Sequence, residues 1–187
     1  MRNKFLLRLA RISVFTAVAL VTHYLESMLP PLLAFAPGSK MGLSNIITLS
    51  AIIFLGYFDA FVVLIVRCFL ASIFGNVFGL IYSLGGGICA FVIMSLLYRF
   101  VCPKISIIGI SVSGAVAHNI TQTFIAAMIV QQINLIIILP LMLIASVIAG
   151  VFVGFVVYFL VKYLPLNLFI DNNTNLSKEQ INKIFEE

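Results

Sequence analysis

The sequence predicts an all-α integral membrane protein, a bundle of six transmembrane helices with its N- and C-termini in the cytoplasm. Three observations lead there. Of the 187 residues, 63% are hydrophobic and only 9% charged, with a mean hydropathy of +1.21, whereas a soluble domain carries about a quarter charged residues. Apolar runs near the length of a bilayer span, about 20 residues, recur along the whole chain. Basic residues gather at one side of those runs, as the rule for cytoplasmic loops requires. The length suits one transmembrane domain, residues 1–165, and a polar cytoplasmic tail, residues 166–187, with no room for a separate soluble domain. The net charge of +5 follows from membrane topology and gives no reason to expect nucleic acid. Cys68, Cys89 and Cys102 are odd in number and lack metal-ligand spacing. They read as free thiols, and neither a metal nor another cofactor is expected.

The first helix is expected over residues 9–29. Arg2, Lys4, Arg8 and Arg11 precede an apolar run, which imitates a secretory signal. The small-x-small pair Ala17 and Ala19 lies inside the run rather than after it, so the helix is retained. Ser13 and Ala17, four apart, suit close contact with another helix, and His23 and Glu26 lie near the outer end. Pro30 and Pro31 stop the helix. The stretch PLLAFAPGSKMGLSN follows, broken by Pro37, Gly38 and Gly42. It is too apolar for a solvated linker and reads either as a loop on the bundle rim or as a lid over a binding site.

Residues 43–57 and 60–74 form two short apolar segments, parted by Tyr57, Phe58 and Asp59. Arg67 sits in the middle of the second, where an arginine is costly and faces the bundle interior. An ion pair with Glu26, contact with a ligand and snorkelling to the surface are its three open roles. Gly75 and Asn76 make a turn into a fourth span, residues 77–97, containing Tyr82, Ser83 and Gly85-Gly86-Gly87. Each glycine weakens a helix by roughly 1 kcal/mol against alanine, so a close approach or a local break is expected. No Lys-Ser or Lys-Thr follows, which excludes a phosphate loop. Arg99, Cys102, Pro103 and Lys104 mark the next loop, and the fifth span covers residues 105–130. Gln131, Gln132 and Asn134 turn the chain outside. The sixth span, residues 135–161, is expected to kink at Pro140 and carries the small pair Gly150 and Gly154. In the tail, Ser177 with Gln180 reads as a capping box and Leu176 with Ile181 as its staple, giving either a short amphipathic surface helix on the cytoplasmic side or simply a frayed end.

With six spans and the N-terminus inside, Arg2, Lys4, Arg8, Arg11, Arg99, Lys104 and Lys162 lie near the cytoplasmic face. Among loop residues only Lys40 falls outside. The chemistry-bearing stretch is SVSGAVAHNITQT, residues 111–123. It sets His118, Asn119 and Gln122 in an apolar span, with His118 and Gln122 on one helical face. At about 1.5 Å per residue, His23 and His118 lie roughly 20 Å above the cytoplasmic entry, and Glu26 and Gln122 roughly 25 Å. Arg67 lies deeper, nearer the midplane, and Lys40 and Asn45 lie just above. Polar groups at one depth from separate helices point to an outward-opening pocket. A packing hydrogen bond is the plainer role for His118.

The sequences PGSKMGLSN, YSLGGG and above all SVSGAVAHNITQ resemble the family known both as Gx transporters and as heptaprenyl diphosphate synthase component I, over roughly residues 12–160. Ser44 stands where alanine is more usual before the asparagine, and both are small. That family is similar in architecture to the substrate-binding components of energy-coupling factor transporters. The resemblance implies a lid at residues 30–44 and a docking face at Ser13 and Ala17 for a transmembrane coupling subunit, itself joined to two ATPase subunits. A small-molecule substrate would be held by His118, Gln122, Asn119, Arg67, His23, Glu26, Asn45 and Lys40.

Two functions from different classes follow. The first is a substrate-binding transport subunit in the bacterial cytoplasmic membrane, dependent on partner ATPases because the chain has no nucleotide-binding loop. The second is a non-catalytic subunit assisting prenyl diphosphate or quinone synthesis, or a membrane electron-transfer system. Direct catalysis of prenyl transfer needs paired aspartates to hold Mg²⁺ against the leaving diphosphate. Asp59 and Asp171 are the two aspartates here, and neither has an acidic neighbour. The basic residues and histidines favour an anionic or polar aromatic ligand, and Glu26 opposes that inference.

Overall fold

The computed structural model describes residues 2–28, 42–74, 77–102 and 104–164. Lys40, most of the expected lid, the Gly75–Asn76 turn and the tail helix lie outside the described residues. Six α-helices follow one another: α1 (Arg2–Met28), α2 (Ser44–Leu55), α3 (Tyr57–Phe74), α4 (Val77–Phe100), α5 (Ile107–Val130) and α6 (Leu139–Tyr163). A short 3-10 helix, Ile133–Ile138, precedes α6. There is no strand among the described residues. By length and composition, three segments among the described residues are long and apolar enough to cross a membrane: Lys4–Glu26, Gly79–Phe100 and Ile133–Tyr163.

The centre of the bundle is α2. At twelve residues it is about 18 Å long, short of the roughly 30 Å of a hydrocarbon core. Ten of those twelve residues are buried, and α2 touches each of the other five helices. A helix apolar on every side has no solvent face to offer and is driven to the middle. Both its ends are set by glycines with positive φ. Gly42, at φ 73°, turns the chain into α2, and Gly56, at φ 87°, turns it out into α3; side chains are strained in that region. The break between the two short segments therefore falls at Gly56 rather than across Tyr57–Asp59. The backbone N–H groups of Gly42 and Leu43 donate to Glu26 Oε1, at 2.5 and 3.3 Å. Glu26 thus caps the start of α2 from another helix, where N–H groups otherwise go unpaired and a negative charge is favourable.

Arg8 donates to both carboxylate oxygens of Asp59, its Nε lying 2.9 and 3.0 Å away, and stacks over Phe58. That pair ties the start of α1 to the start of α3. Arg99 and Lys162 close α4 and α6 at the same end of the bundle, and Cys102 follows Arg99 in the loop, where burial pushes its thiol up. None of the three cysteines forms a disulfide. The helices alternate in direction from this basic end to a far end. Along the α5–α6 seam, a methyl on Gly150 or Gly154 would come within 2.7 or 2.6 Å of the Cα of Val112 or Ile108. The small pair read from sequence is thus a backbone-to-backbone contact, reinforced by Ser111 donating to the Gly150 carbonyl at 2.8 Å. Pro140 does not kink a span: it stands in the first turn of α6, where its missing N–H has no intrahelical partner to lose.

The interior divides along its length. The apolar core includes Leu49, Ala51, Ile52, Ile53, Phe54, Leu64, Met94, Tyr98, Ile107, Ile110, Val153 and Val157, from the segments of α2 to α6 nearest the basic end. Of the buried polar residues, Glu26, Asn45, Arg67, His118, Asn119, Gln122 and Ser146 come from the segments nearer the far end, while Ser50 and Ser111 lie among the apolar ones. The outside is apolar as well, with Ile73, Met128 and Ile137 each more than 70% exposed. Apolar surface that extensive marks contact with lipid or protein.

Candidate functional site

The site is built on α5, whose length is helical throughout. Ser106 starts it, its Oγ accepting from the Gly109 N–H at 3.2 Å, as an N-cap does. Gln131 ends it in the left-handed conformation. Four residues apart, His118 and Gln122 project from one face toward α4. There they meet Gly86: a methyl at that glycine would lie 2.8 Å from Gln122 Cγ and 3.0 Å from His118 Cε1 and Nδ1. The next residue, Gly87, faces the other neighbour, and its methyl would lie 3.0 Å from Leu64 Cδ1 and 3.6 Å from Arg67 Nη2. The glycine run therefore makes no break in α4. It leaves room for His118 and Gln122 of α5 beside Gly86 and for Leu64 and Arg67 of α3 beside Gly87, so the two flanking helices set polar side chains against adjoining residues of α4.

Arg67, His118 and Gln122 are buried, at 4%, 4% and 7% exposure. Gln122 Nε2 reaches the Tyr82 carbonyl only at 3.5 Å. Gln122 Oε1 and the Nε and Nη1 of Arg67 have no partner among the described residues. Buried polar groups are ordinarily hydrogen-bonded, and each exception calls for an explanation. Arg67 Nη2 meets Gly87, the residue after Gly86 and about 100° further round α4.

Glu26, Gly42 and Asn45 form a second group at the start of α2. Asn45 is 1% exposed, both atoms of its amide are unpartnered, and its Nδ2 would lie 3.1 Å from a methyl on Gly42. The expected ion pair between Glu26 and Arg67 is not formed. Glu26 turns to α2 instead, and the ion pair found among the described residues is Arg8–Asp59. His23 is half-buried, edge-on to Tyr24 with ring centroids 6.4 Å apart. Its helix packs on α2 and α3, so a shared depth with His118 does not put the two on adjoining helices.

Asn119 points elsewhere, about 100° round α5 from His118. Its Nδ2 donates to Ser146 Oγ on α6 at 2.7 Å, and that hydroxyl donates to the Met142 carbonyl at 2.6 Å. Ser13 and Ala17 are exposed on the outer face of α1. Sequence reasoning did not place Gly86, Gly87 and the Tyr82 carbonyl at the site. Their signal was the glycine triplet itself, which the sequence assigned to helix packing.

The sequence profile of the family described as heptaprenyl diphosphate synthase component I matches residues 15–160. That span contains every helix carrying the cluster. Neither a curated protein nor a solved structure matches the chain.

Proposed function

Because the chain belongs to the heptaprenyl diphosphate synthase component I family, we propose that it is a membrane-embedded substrate-binding subunit of an energy-coupling-factor-type transporter. In this reading the six-helix bundle spans a bacterial cytoplasmic membrane with the short α2 enclosed inside it, both termini are cytoplasmic, and the far end of the bundle opens outward. The observation that carries it is an apolar core near the basic end, with the buried side-chain groups of Arg67, Asn45 and Gln122, unpartnered among the described residues, toward the other. An interior closed below and polar above suits a molecule entering from outside. Arg67, His118 and Gln122 hold it, with Asn45, Glu26 and His23 nearby and Lys40 on the covering loop. Asn119 supports the wall through Ser146. The exposed Ser13–Ala17 face of α1 docks a transmembrane coupling subunit, since small residues let helix backbones approach, and ATPase subunits supply the energy.

The chain itself is non-catalytic in this reading. Asp59 is held by Arg8 at the basic end, and among the described residues no second aspartate joins it to hold Mg²⁺ against a diphosphate. The family's description favours a second reading, a non-catalytic membrane subunit that assists a prenyl diphosphate synthase or a quinone-linked electron-transfer system. Purification from native membranes, followed by mass spectrometry of bound small molecules and proteins, separates the two. Co-purifying coupling and ATPase subunits with a small polar molecule support transport. A prenyltransferase or redox partner without them supports the second reading and refutes the first.

A further inference from the structure

We infer that the molecule held here carries an anionic group, a carboxylate or a phosphate, and that Arg67 receives it. This rests on the substrate-binding reading above and narrows it to a chemical class. A guanidinium presents five N–H donors, no acceptor, and a charge that it keeps under all conditions met in proteins. Arg67 is 4% exposed in the middle of α3, and a buried charge is tolerated only when paired or bonded. Nε and Nη1 nevertheless have no partner among the described residues.

Among the described residues no acid supplies one there. Asp59 is taken by Arg8, and Glu26 gives Oε1 to the N–H groups of Gly42 and Leu43. The others, Asp171, Glu179, Glu186 and Glu187, belong to the tail. Beside the guanidinium stands Gly87 with Leu64, and the His118 and Gln122 side chains lie against the adjoining Gly86. A fixed positive charge with unused donors and no acid paired to it among the described residues is the composition of an anion site, and a planar guanidinium matches a carboxylate or phosphate with two parallel bonds. A cationic ligand would add a second buried positive charge, and a neutral one would leave the first unpaired. The anion belongs either to a soluble small molecule or to a lipid headgroup.

The test compares wild type, Arg67→Met and Arg67→Lys, each purified from native membranes. Molecules released on denaturation are split into aqueous and organic fractions and read by mass spectrometry, and each protein stripped of ligand is melted by far-UV circular dichroism. Methionine keeps length and apolar packing without the charge. The expected result is a near-stoichiometric anion in wild type, absent from Arg67→Met, and bound about 10- to 100-fold more weakly by Arg67→Lys, which cannot form the paired bonds. Stripped Arg67→Met should melt at or above stripped wild type. A carboxylate or phosphate ester in the aqueous fraction identifies a soluble ligand, and a phospholipid in the organic fraction identifies a headgroup. Arg67→Met that melts lower and retains the wild-type molecule makes the arginine structural and overturns the inference. A neutral or cationic molecule lost by His118→Ala but kept by Arg67→Met overturns it while the transport reading stands. Wild type carrying no bound molecule overturns both.

Discussion

Gly86→Ala is a substitution whose consequences can be worked from distances. The new methyl would stand 2.8 Å from Gln122 Cγ and 3.0 Å from two atoms of the His118 ring, so these side chains must move. Side chains can change rotamer, at a cost within the range of overpacking, about 1–3 kcal/mol. Alanine returns about 1 kcal/mol of helix propensity. The net loss of ligand-free stability is therefore about 0–2 kcal/mol. Gly150→Ala is the control, because its methyl would meet the Cα of Val112 at 2.7 Å and the Cβ of Ala115 at 3.2 Å. Backbone cannot rotate away, so α5 and α6 must separate, and the net loss should be the larger of the two. The assay pairs far-UV circular dichroism melting in detergent with calorimetric titration of the molecule released from the native protein. Gly86→Ala should bind at least about tenfold more weakly, having displaced two binding groups, with little change in melting. Gly150→Ala should melt lower yet bind normally while folded. Normal binding by Gly86→Ala would refute the placement of the site between α4 and α5.

Three further outcomes are expected. Asn119→Ala should lower stability by about 0.6–2 kcal/mol through loss of one interhelical bond while leaving binding within a fewfold of wild type; adding Ser146→Ala should lower it little more, as a double-mutant cycle will show. Ala17→Leu, on the exposed face of α1, should abolish co-purification with a coupling subunit and leave the isolated protein folded, and retained association would remove the docking assignment. On a cysteine-free background, Lys40→Cys should label with an impermeant maleimide from outside the cell and Lys104→Cys should not, the reverse pattern contradicting the proposed topology.

Much of the bundle was legible because its signals are local. Composition, apolar run length and basic asymmetry anticipate six helices, with ends displaced by a few residues. The first begins at Arg2 rather than near residue 9, since arginine and lysine are good helix formers and extend the apolar run. Pro140 was misread because a proline inside an apolar run looks the same whether it interrupts a helix or starts one. The 3-10 segment before it decides the matter. His118 and Gln122 were legible as one face of a helix from their spacing alone. Their partners were not, because lateral neighbours depend on which helices adjoin. Glu26 and Arg67 look complementary in sequence, yet Glu26 is engaged by backbone N–H groups of the following segment, a partner that carries no side-chain signal. The glycine triplet shows the same limit: its composition announces a close approach, and only the packing shows that Arg67 and His118 are what approach.

The central claim is that the polar cluster binds a molecule rather than merely joining helices, and one measurement addresses it directly. Melting temperatures of His118→Ala and Gln122→Ala are taken in detergent, with and without the molecule recovered from the native protein. Groups that face a ligand should leave the ligand-free melting temperature nearly unchanged and abolish the ligand-induced rise. If both variants melt lower than wild type and keep that rise, the cluster is structural and the site lies elsewhere.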